Sequence, residues 1–367
     1  MIVRSVTLDR YRNIERCHIA FSPGVNVLFG DNGQGKTNLL ETIYLFSAGR
    51  SFRAGRDRDF VSYEAEDARI RMEFFARGRE QSAEMRLFRA GRKQVRMGGV
   101  PVKKMAELMG GFSAILFAPE HLDIVKEGPV GRRSFLDFAI CQLEPRYYSA
   151  LAALSRVLTQ KSALLREARK TGVFPATLPV WNEKMALPAA HIMARRAAYI
   201  ERIAPAAAAR LSALSGGRER LSLTYQTADC FDAGKSENEN AERLYEKLMG
   251  LRDAECAAGI CLAGPQRDDM RISLSGRDAR IHASQGQQRS IVLSLKLAEG
   301  ALAREDCGEQ PVYLFDDVLS ELDAGRQDYI VSAIEGAQVI LTTCGRERFE
   351  ATGAQEFSVR NGVITEA

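Results

Sequence analysis

Eight consecutive residues carry the densest chemistry in this chain: Gly30-Asp31-Asn32-Gly33-Gln34-Gly35-Lys36-Thr37, a complete G-x-x-x-x-G-K-[ST] pattern. The β-like run Val25–Phe29 precedes it and the helix-like run Asn38–Tyr44 follows. That strand–loop–helix setting is what a phosphate cradle requires. Glycines let backbone N–H groups close round phosphate oxygens, and a helix N-terminus adds partial positive charge. Lys36 is expected to reach the β- and γ-phosphates and the Thr37 hydroxyl to ligate Mg²⁺, with Gly30 through Asn38 lining the nucleotide. A second run, Val312-Tyr313-Leu314-Phe315-Asp316-Asp317, reads as a buried Walker B strand ending in two acids. Asp316 is the expected Mg²⁺ ligand and Asp317 the base that polarises the attacking water. Lys36, Asp316 and Asp317 are thus the expected catalytic set.

Between these motifs, Ser284-Gln285-Gly286-Gln287-Gln288-Arg289-Ser290 precedes a helical run from Ile291 to Arg304, with Ile291, Leu293, Leu295, Leu297 and Leu302 apolar. A small, amide-rich turn opening a helix is a second phosphate-facing N-terminus. It stands just upstream of Walker B, where ATP-binding-cassette proteins carry their signature motif, so Ser284, Gly286 and Gln287 join the expected nucleotide set. Ser320-Glu321-Leu322-Asp323 resembles the D-loop of that superfamily. Leu214-Ser215-Gly216-Gly217-Arg218-Glu219 matches a cassette signature more closely in letters. It follows an alanine-rich helical stretch, however, and leads into the alternating Leu221, Leu223 and Tyr225. It reads as a helix stop with glycine in the left-handed position, followed by a strand.

In this order and in one chain, Gly30–Thr37, Ser284–Arg289, Asp316–Asp317 and Ser320–Asp323 resemble the RecF family, bacterial recombination mediators related to SMC and ABC ATPase heads. Tyr11-Arg12-Asn13, Ala118-Pro119-Glu120, Gly131-Arg132-Arg133-Ser134-Phe135-Leu136-Asp137 and Gly264-Pro265-Gln266-Arg267-Asp268-Asp269 agree. The resemblance covers essentially the whole chain. Gln266 and Phe52 stand where the family pattern leads one to expect histidine. Leu341-Thr342-Thr343-Cys344 occupies the strand end where cassette ATPases carry a switch histidine, leaving Thr343 as a candidate γ-phosphate sensor. The resemblance implies an ATP- and Mg²⁺-dependent homodimer acting on double-stranded and gapped DNA. It further implies mediator partners of the RecO and RecR kind, a weak DNA-stimulated ATPase, and a cytoplasmic location. A signature turn that cannot reach its own P-loop can serve the nucleotide of a second copy, so ATP would glue two heads and hydrolysis would part them.

Two other classes share part of this pattern. A transporter-associated cassette ATPase needs a compact insertion, closer Walker spacing and usually a switch histidine. A P-loop small-molecule kinase would account for Gly30–Thr37 but not for Ser284–Gln288 or Ser320–Asp323.

The chain of 367 residues is long enough for two cored domains. No run of eighteen apolar residues predicts a membrane span, and the N-terminus carries no signal-peptide pattern. Seven cysteines without paired C-x-x-C elements, beside four histidines, argue for reduced thiols over a zinc site. The net charge is only +4, yet residues 50–104 hold fifteen Lys and Arg against eight Asp and Glu. Arg50, Arg53, Arg56, Arg86, Arg89 and Arg92, with Arg132 and Arg133 outside that stretch, are the expected contacts to a DNA backbone. No recognition-helix motif suggests sequence-specific readout.

The expected fold is α/β: an ABC/SMC-type P-loop ATPase head, residues 1–115 and 261–367, with a mainly α-helical lobe inserted at 116–260. Prolines 145, 175, 179, 188 and 205 are expected to break any long helix in that lobe. No heptad pattern persists there, unlike the coiled-coil arms of SMC relatives. Gln338–Thr342 reads as a buried parallel strand, and Phe357–Ile364 as a hairpin around Asn361-Gly362.

Overall fold

The computed structural model describes residues 1–53, 55–319, 322–344 and 353–367. The chain divides into two compact units, Met1–His121 with Val292–Ala367, and Leu122–Ile291. Among the described residues no helix is long and apolar enough to cross a membrane.

The first unit holds two sheets. Strands β1 (Ile2–Tyr11), β2 (Ile14–Ala20), β4 (Asp67–Ala76), β5 (Arg79–Phe88), β6 (Gln94–Met97) and β7 (Val100–Pro101) form an antiparallel sheet in the order β2-β1-β4-β5-β6-β7. Side chains of β4 alternate between core and solvent along most of its length, as the period of a half-buried strand demands. The second sheet takes β3 (Val25–Phe29), β8 (Ala114–Phe117), β12 (Val312–Asp316), β13 (Val339–Thr343), β14 (Gln355–Arg360) and β15 (Val363–Glu366) in the order β15-β14-β3-β13-β12-β8. All its pairings are parallel except β14–β15. Buried on both faces, β12 and β13 show no alternation, with apolar runs that give way to Asp316, Thr342 and Thr343 at their ends. Gln338 stitches the sheets together: its amide accepts from Val3 N at 2.7 Å and donates to Val3 O and Ser22 O. Helix α1 (Lys36–Ala48) follows β3, and α10 (Ala324–Ala333) lies between β12 and β13.

The second unit is mainly helical. It contains α2 (Asp123–Lys126), α3 (Pro129–Leu143), α4 (Pro145–Thr171), α5 (Leu178–Leu214), α6 (Glu237–Gly250), α7 (Arg252–Ala258) and α8 (Ala279–His282). A small sheet of β9 (Leu221–Gln226), β10 (Asp269–Leu274) and β11 (Arg277–Asp278) accompanies them. Helix α9 (Gln285–Cys307) begins in this unit and ends in the first.

Two expectations change. The division falls at 121/122 and 291/292, because β8 hydrogen-bonds along β12 and β10 pairs in register with β9. A boundary at 115 would cut β8, and one at 260 would part β9 from β10. Pro175 lies in the break between α4 and α5, but the other four prolines fail to break the helices. Pro145 occupies the first turn of α4 and Pro179 that of α5, where a missing N–H costs nothing. Pro188 and Pro205 sit inside the 37-residue α5. Each interior proline costs about 3 kcal/mol. Against this, α5 buries Met185, Ile192, Met193, Tyr199, Ile200, Ile203 and Leu211, and a large apolar side chain contributes about 1.5–3 kcal/mol.

Candidate nucleotide-binding site

Phosphate loop and Walker B strand converge because of the strand order. β3 and β12 flank β13, and the register sets Phe29 beside Thr343 and Asp316 beside Thr342. All three strands therefore end at one edge, where parallel sheets collect their ligand loops. Gly30 is forced by its neighbour: a Cβ there would lie 2.3 Å from the Val359 carbonyl oxygen of β14. Gly35 has φ 118° and abuts the Asn13 amide, so only glycine fits without strain. Helix α1 starts with no side-chain cap and no acid in its first turn, so nothing of its own competes for an anion. The buried Lys36 donates to the Gly30 and Asp31 carbonyl oxygens, which aims its ammonium along the cradle.

At the opposite wall, Thr37 Oγ1 donates to Asp316 Oδ1 at 2.7 Å, and Thr342 Oγ1 donates to the same oxygen at 3.0 Å. Burial raises the Asp316 pKa. The two hydroxyls act against that rise, while the charges of Asp317 and Glu120 add to it. Asp317 takes a left-handed φ of 53°, and its backbone N–H donates to Thr342 Oγ1 at 2.9 Å. This turn brings Asp317 to a cavity of about 240 Å³ lined by residues 31–38, Arg53 and Asp317. Thr37 and Asp316 are hard oxygen donors side by side, the ligand type Mg²⁺ prefers.

Several residues that hold this site carry little sequence signal. Gln34 O accepts from Gly362 N at 2.9 Å and from Asn13 Nδ2 at 3.1 Å, and Gln34 Oε1 accepts from Asn361 N. The turn between β14 and β15 thus backs the phosphate loop. Glu41, fully buried in α1, accepts from the Tyr11 hydroxyl, from Arg12 at 2.6 and 2.9 Å, and from Ser51. Tyr11-Arg12-Asn13 hinted at this only as part of a family pattern. Thr343 is buried, and its carbonyl accepts from Gly30 N. Cys344 Sγ lies 3.7 Å from Lys36 Nζ.

The arginines expected at DNA separate into groups. Arg53 lines the nucleotide cavity and donates to Asn38 Oδ1 at 3.0 Å. Arg86 pairs with Asp67, which also binds Arg10 and Arg69. Arg89 donates to the Ser62, Tyr63 and Ala65 carbonyl oxygens. Arg132 grips both carboxylate oxygens of Asp269, at 2.6 and 2.9 Å, and Arg133 donates to Asp268 O at 2.7 Å. Arg196 joins Asp137 and Pro265 O, while Tyr225 and Thr227 donate to buried Asp268. The segments 131–137 and 264–269 are therefore one interlocked clamp within the second unit. Arg50, Arg56 and Arg92 are exposed.

In the second unit, Ser284 and Gln287 cap α9 reciprocally: Gln287 N donates to Ser284 Oγ at 3.3 Å, and Ser284 N to Gln287 Oε1 at 2.8 Å. Ser284 is exposed and Gly286 half-buried. The Leu214–Glu219 segment is a helix stop, with α5 ending at Leu214 and Gly216 and Gly217 both at left-handed φ. Ser320 and Glu321 of the expected D-loop lie outside the described residues; Asp323 caps α10 through Arg326 N.

A P-loop strand and a Walker B strand flanking one parallel strand, with a signature-type turn opening α9, define an ABC/SMC-type P-loop ATPase head. The RecF/RecN/SMC N-terminal domain family matches residues 2–363. The DNA replication and repair protein RecF of Symbiobacterium thermophilum is 39% identical over 344 residues, covering 93% of this chain and 91% of that protein. Its counterpart in Ruminiclostridium cellulolyticum is 36% identical over 351 residues, covering 95% and 94%. The chain belongs to the RecF family. A solved structure of the recombination mediator protein RecF with ATP in the RecFOR pathway has TM-score 0.90 at 31% identity, covering 100% of this chain and 97% of that one. An Smc head bound to the C-terminal winged-helix domain of ScpA shares the fold, at TM-score 0.56 and 16% identity, covering 100% and 97%.

Proposed function

We propose that this protein is an ATP-dependent DNA-binding protein of recombinational repair and replication restart. Two copies close on ATP at single-strand/double-strand junctions, help load a recombinase, and part on hydrolysis. The observation that carries this reading is the gathering of Lys36, Thr37, Asp316 and Asp317 at the edge where β3 and β12 end. Lys36 binds the β- and γ-phosphates, and the open α1 N-terminus holds them by backbone N–H groups. Thr37 and Asp316 would hold Mg²⁺, which when bound offsets the charge on the phosphate oxygens. Asp317 accepts a proton from the attacking water, and Thr342 fixes its backbone. Arg53 supplies positive charge to the same cavity and leaves the set of DNA contacts. Ser284 and Gly286 of one copy meet the γ-phosphate held by the other.

DNA contact in this reading falls to the exposed Arg50, Arg56 and Arg92. Mediator proteins of the RecO and RecR kind are the expected partners, given the pathway named for the solved relative.

Light scattering with and without ATP and Mg²⁺, then with gapped DNA added, tests the proposal. Wild type should double in mass with ATP, and Lys36→Ala should not. A Lys36→Ala variant that dimerises like wild type overturns the assignment of the nucleotide site. A wild type that binds ATP yet stays monomeric on gapped DNA overturns the clamp.

A further inference from the structure

The turn that ends α5 lies against the turn that opens α9. Strand pairing puts it there: Leu221 at the start of β9 faces Leu274 at the end of β10, and Ser275 N donates to Arg220 O at 2.7 Å. The chain before β9 and the chain after β10 therefore leave the small sheet at the same end. Gln287 Nε2 then donates to Glu219 Oε1 at 2.9 Å.

Glu219 is itself held in place. Its backbone N–H donates to Ser215 Oγ at 3.2 Å, Arg218 Nε donates to Ser215 O at 2.8 Å, and Gly217 N donates to Ser212 O at 2.7 Å. Ser215 is buried and Glu219 half-buried. A closed turn on the last residues of α5 thus presents one carboxylate to the first turn of α9.

The amide of Gln287 is used on both sides, since Oε1 accepts from Ser284 N while Nε2 reaches Glu219. A capping box is served equally well by glutamate or glutamine. Only glutamine adds a donor for the carboxylate behind it. Helix first turns leave unpaired N–H groups and fray readily, and Ser284 and Gln285 are exposed here. Without an anchor, the turn would sample many geometries before meeting a phosphate.

We infer that Glu219 is a positioning residue for the signature turn, and that Gln287 transmits its hold in place of contacting the nucleotide itself. The inference rests on the reading of Ser284–Gln287 as that turn. Ser284 and the Gly286 N–H remain the groups offered to a phosphate, and the Ser215–Glu219 stop becomes their support.

The test pairs two readouts on the full chain. Hydrogen exchange on the nucleotide-free monomer reports the turn without involving a dimer. Glu219→Ala should speed exchange of the Ser284–Gln288 amides about 10-fold or more, whereas Glu219→Gln, which keeps an acceptor, should leave them near wild type. Gln287→Glu keeps the capping box but sets two carboxylates face to face, and should loosen the turn similarly. Adding Glu219→Gln to Gln287→Glu restores a donor–acceptor pair and should return exchange to within about 3-fold of wild type. ATP-driven dimerisation should follow the same order, with ATP binding to the monomer unchanged. Silent exchange in Glu219→Ala, or no rescue in the double variant, overturns the positioning role. Exchange changes without any ATP-driven dimer in wild type would uphold the anchor and overturn the clamp instead.

Discussion

The nucleotide cavity of the first unit and the arginine–carboxylate cluster of the second both concentrate charge in buried surroundings, but they use it in opposite ways. At the nucleotide cavity, among the described residues, Lys36 meets backbone carbonyls and a thiol, and Asp316 is shared by two hydroxyls. Burial and the charges of Asp317 and Glu120 hold the Asp316 pKa up, and among the described residues no cation of the fold is a hydrogen-bond partner of that carboxylate. In the second unit, Arg132 and Arg196 meet Asp269 and Asp137 directly. One arrangement leaves charges to be completed by a ligand; the other completes them internally. A buried charge is a sign of function only when its partners in the fold do not balance it.

The sharpest way to break this contrast is to neutralise one carboxylate of the cavity. Asp317→Asn removes the group that should accept the proton from water, and steady-state ATPase should fall about 100- to 10,000-fold. The ATP-bound dimer should then outlive wild type when chased with ADP. A variant with normal turnover would return Asp317 to a purely structural role.

Next in size is the clamp. Arg196→Leu leaves Asp137 with the Tyr147 hydroxyl and the Pro265 carbonyl without its guanidinium donor, and removing one partner of a buried pair costs about 3–5 kcal/mol. Urea unfolding should register that loss, while the folded fraction keeps wild-type ATP affinity. A loss of ATP affinity at unchanged stability would put the clamp on the functional side of the comparison.

A smaller effect is expected where internal balancing is partly solvated. Burial alone would raise the Asp67 pKa, but the Arg86 hydrogen bond and the Arg10 and Arg86 charges bring it below its ordinary value. A carboxylate with a depressed folded pKa adds stability above its unfolded pKa and loses it as pH falls through the folded one. Asp67→Asn should therefore cost about 1–3 kcal/mol at neutral pH, and less under acid. Thermal melts from pH 7 to pH 3 measure the gap, and a gap independent of pH would mean that charge is not what binds Asp67.

The smallest effect separates arginines of one stretch. Arg92→Glu should lower the slope of log DNA affinity against log salt by about 0.9 for each phosphate that the side chain no longer neutralises. Arg86→Glu should chiefly cost stability through Asp67. Equal effects of the two on DNA affinity would erase the distinction between them.

These cases also mark what the residues disclose in order. The phosphate loop was legible because its glycines are demanded by close backbone approach and a left-handed φ, and the motif's spacing records that demand. The Walker B strand was legible because a strand buried on both faces must be apolar throughout. Arginine density was a poor guide, since Asp67 and Asp269 are partners only after distant strands and helices meet. Prolines misled for a related reason: burial along α5 is a property of packing, invisible in a list of helix breakers. Glu219 entered only as the last letter of a helix stop, as its role exists only where the ends of β9 and β10 coincide.

The turn at Asn361-Gly362 bears on how the protein is made. It supports Gln34 across 327 residues of sequence, and β14 packs its Val359 carbonyl against Gly30. A ribosome synthesises the phosphate loop 327 residues before the turn that supports it. Over that interval the nascent chain carries the whole motif without the backing that shapes it. Nucleotide capture becomes a report that synthesis has run past the β14–β15 hairpin. A chain stopped before Gln355 should emerge with every residue of the loop and retain no ATP on a filter.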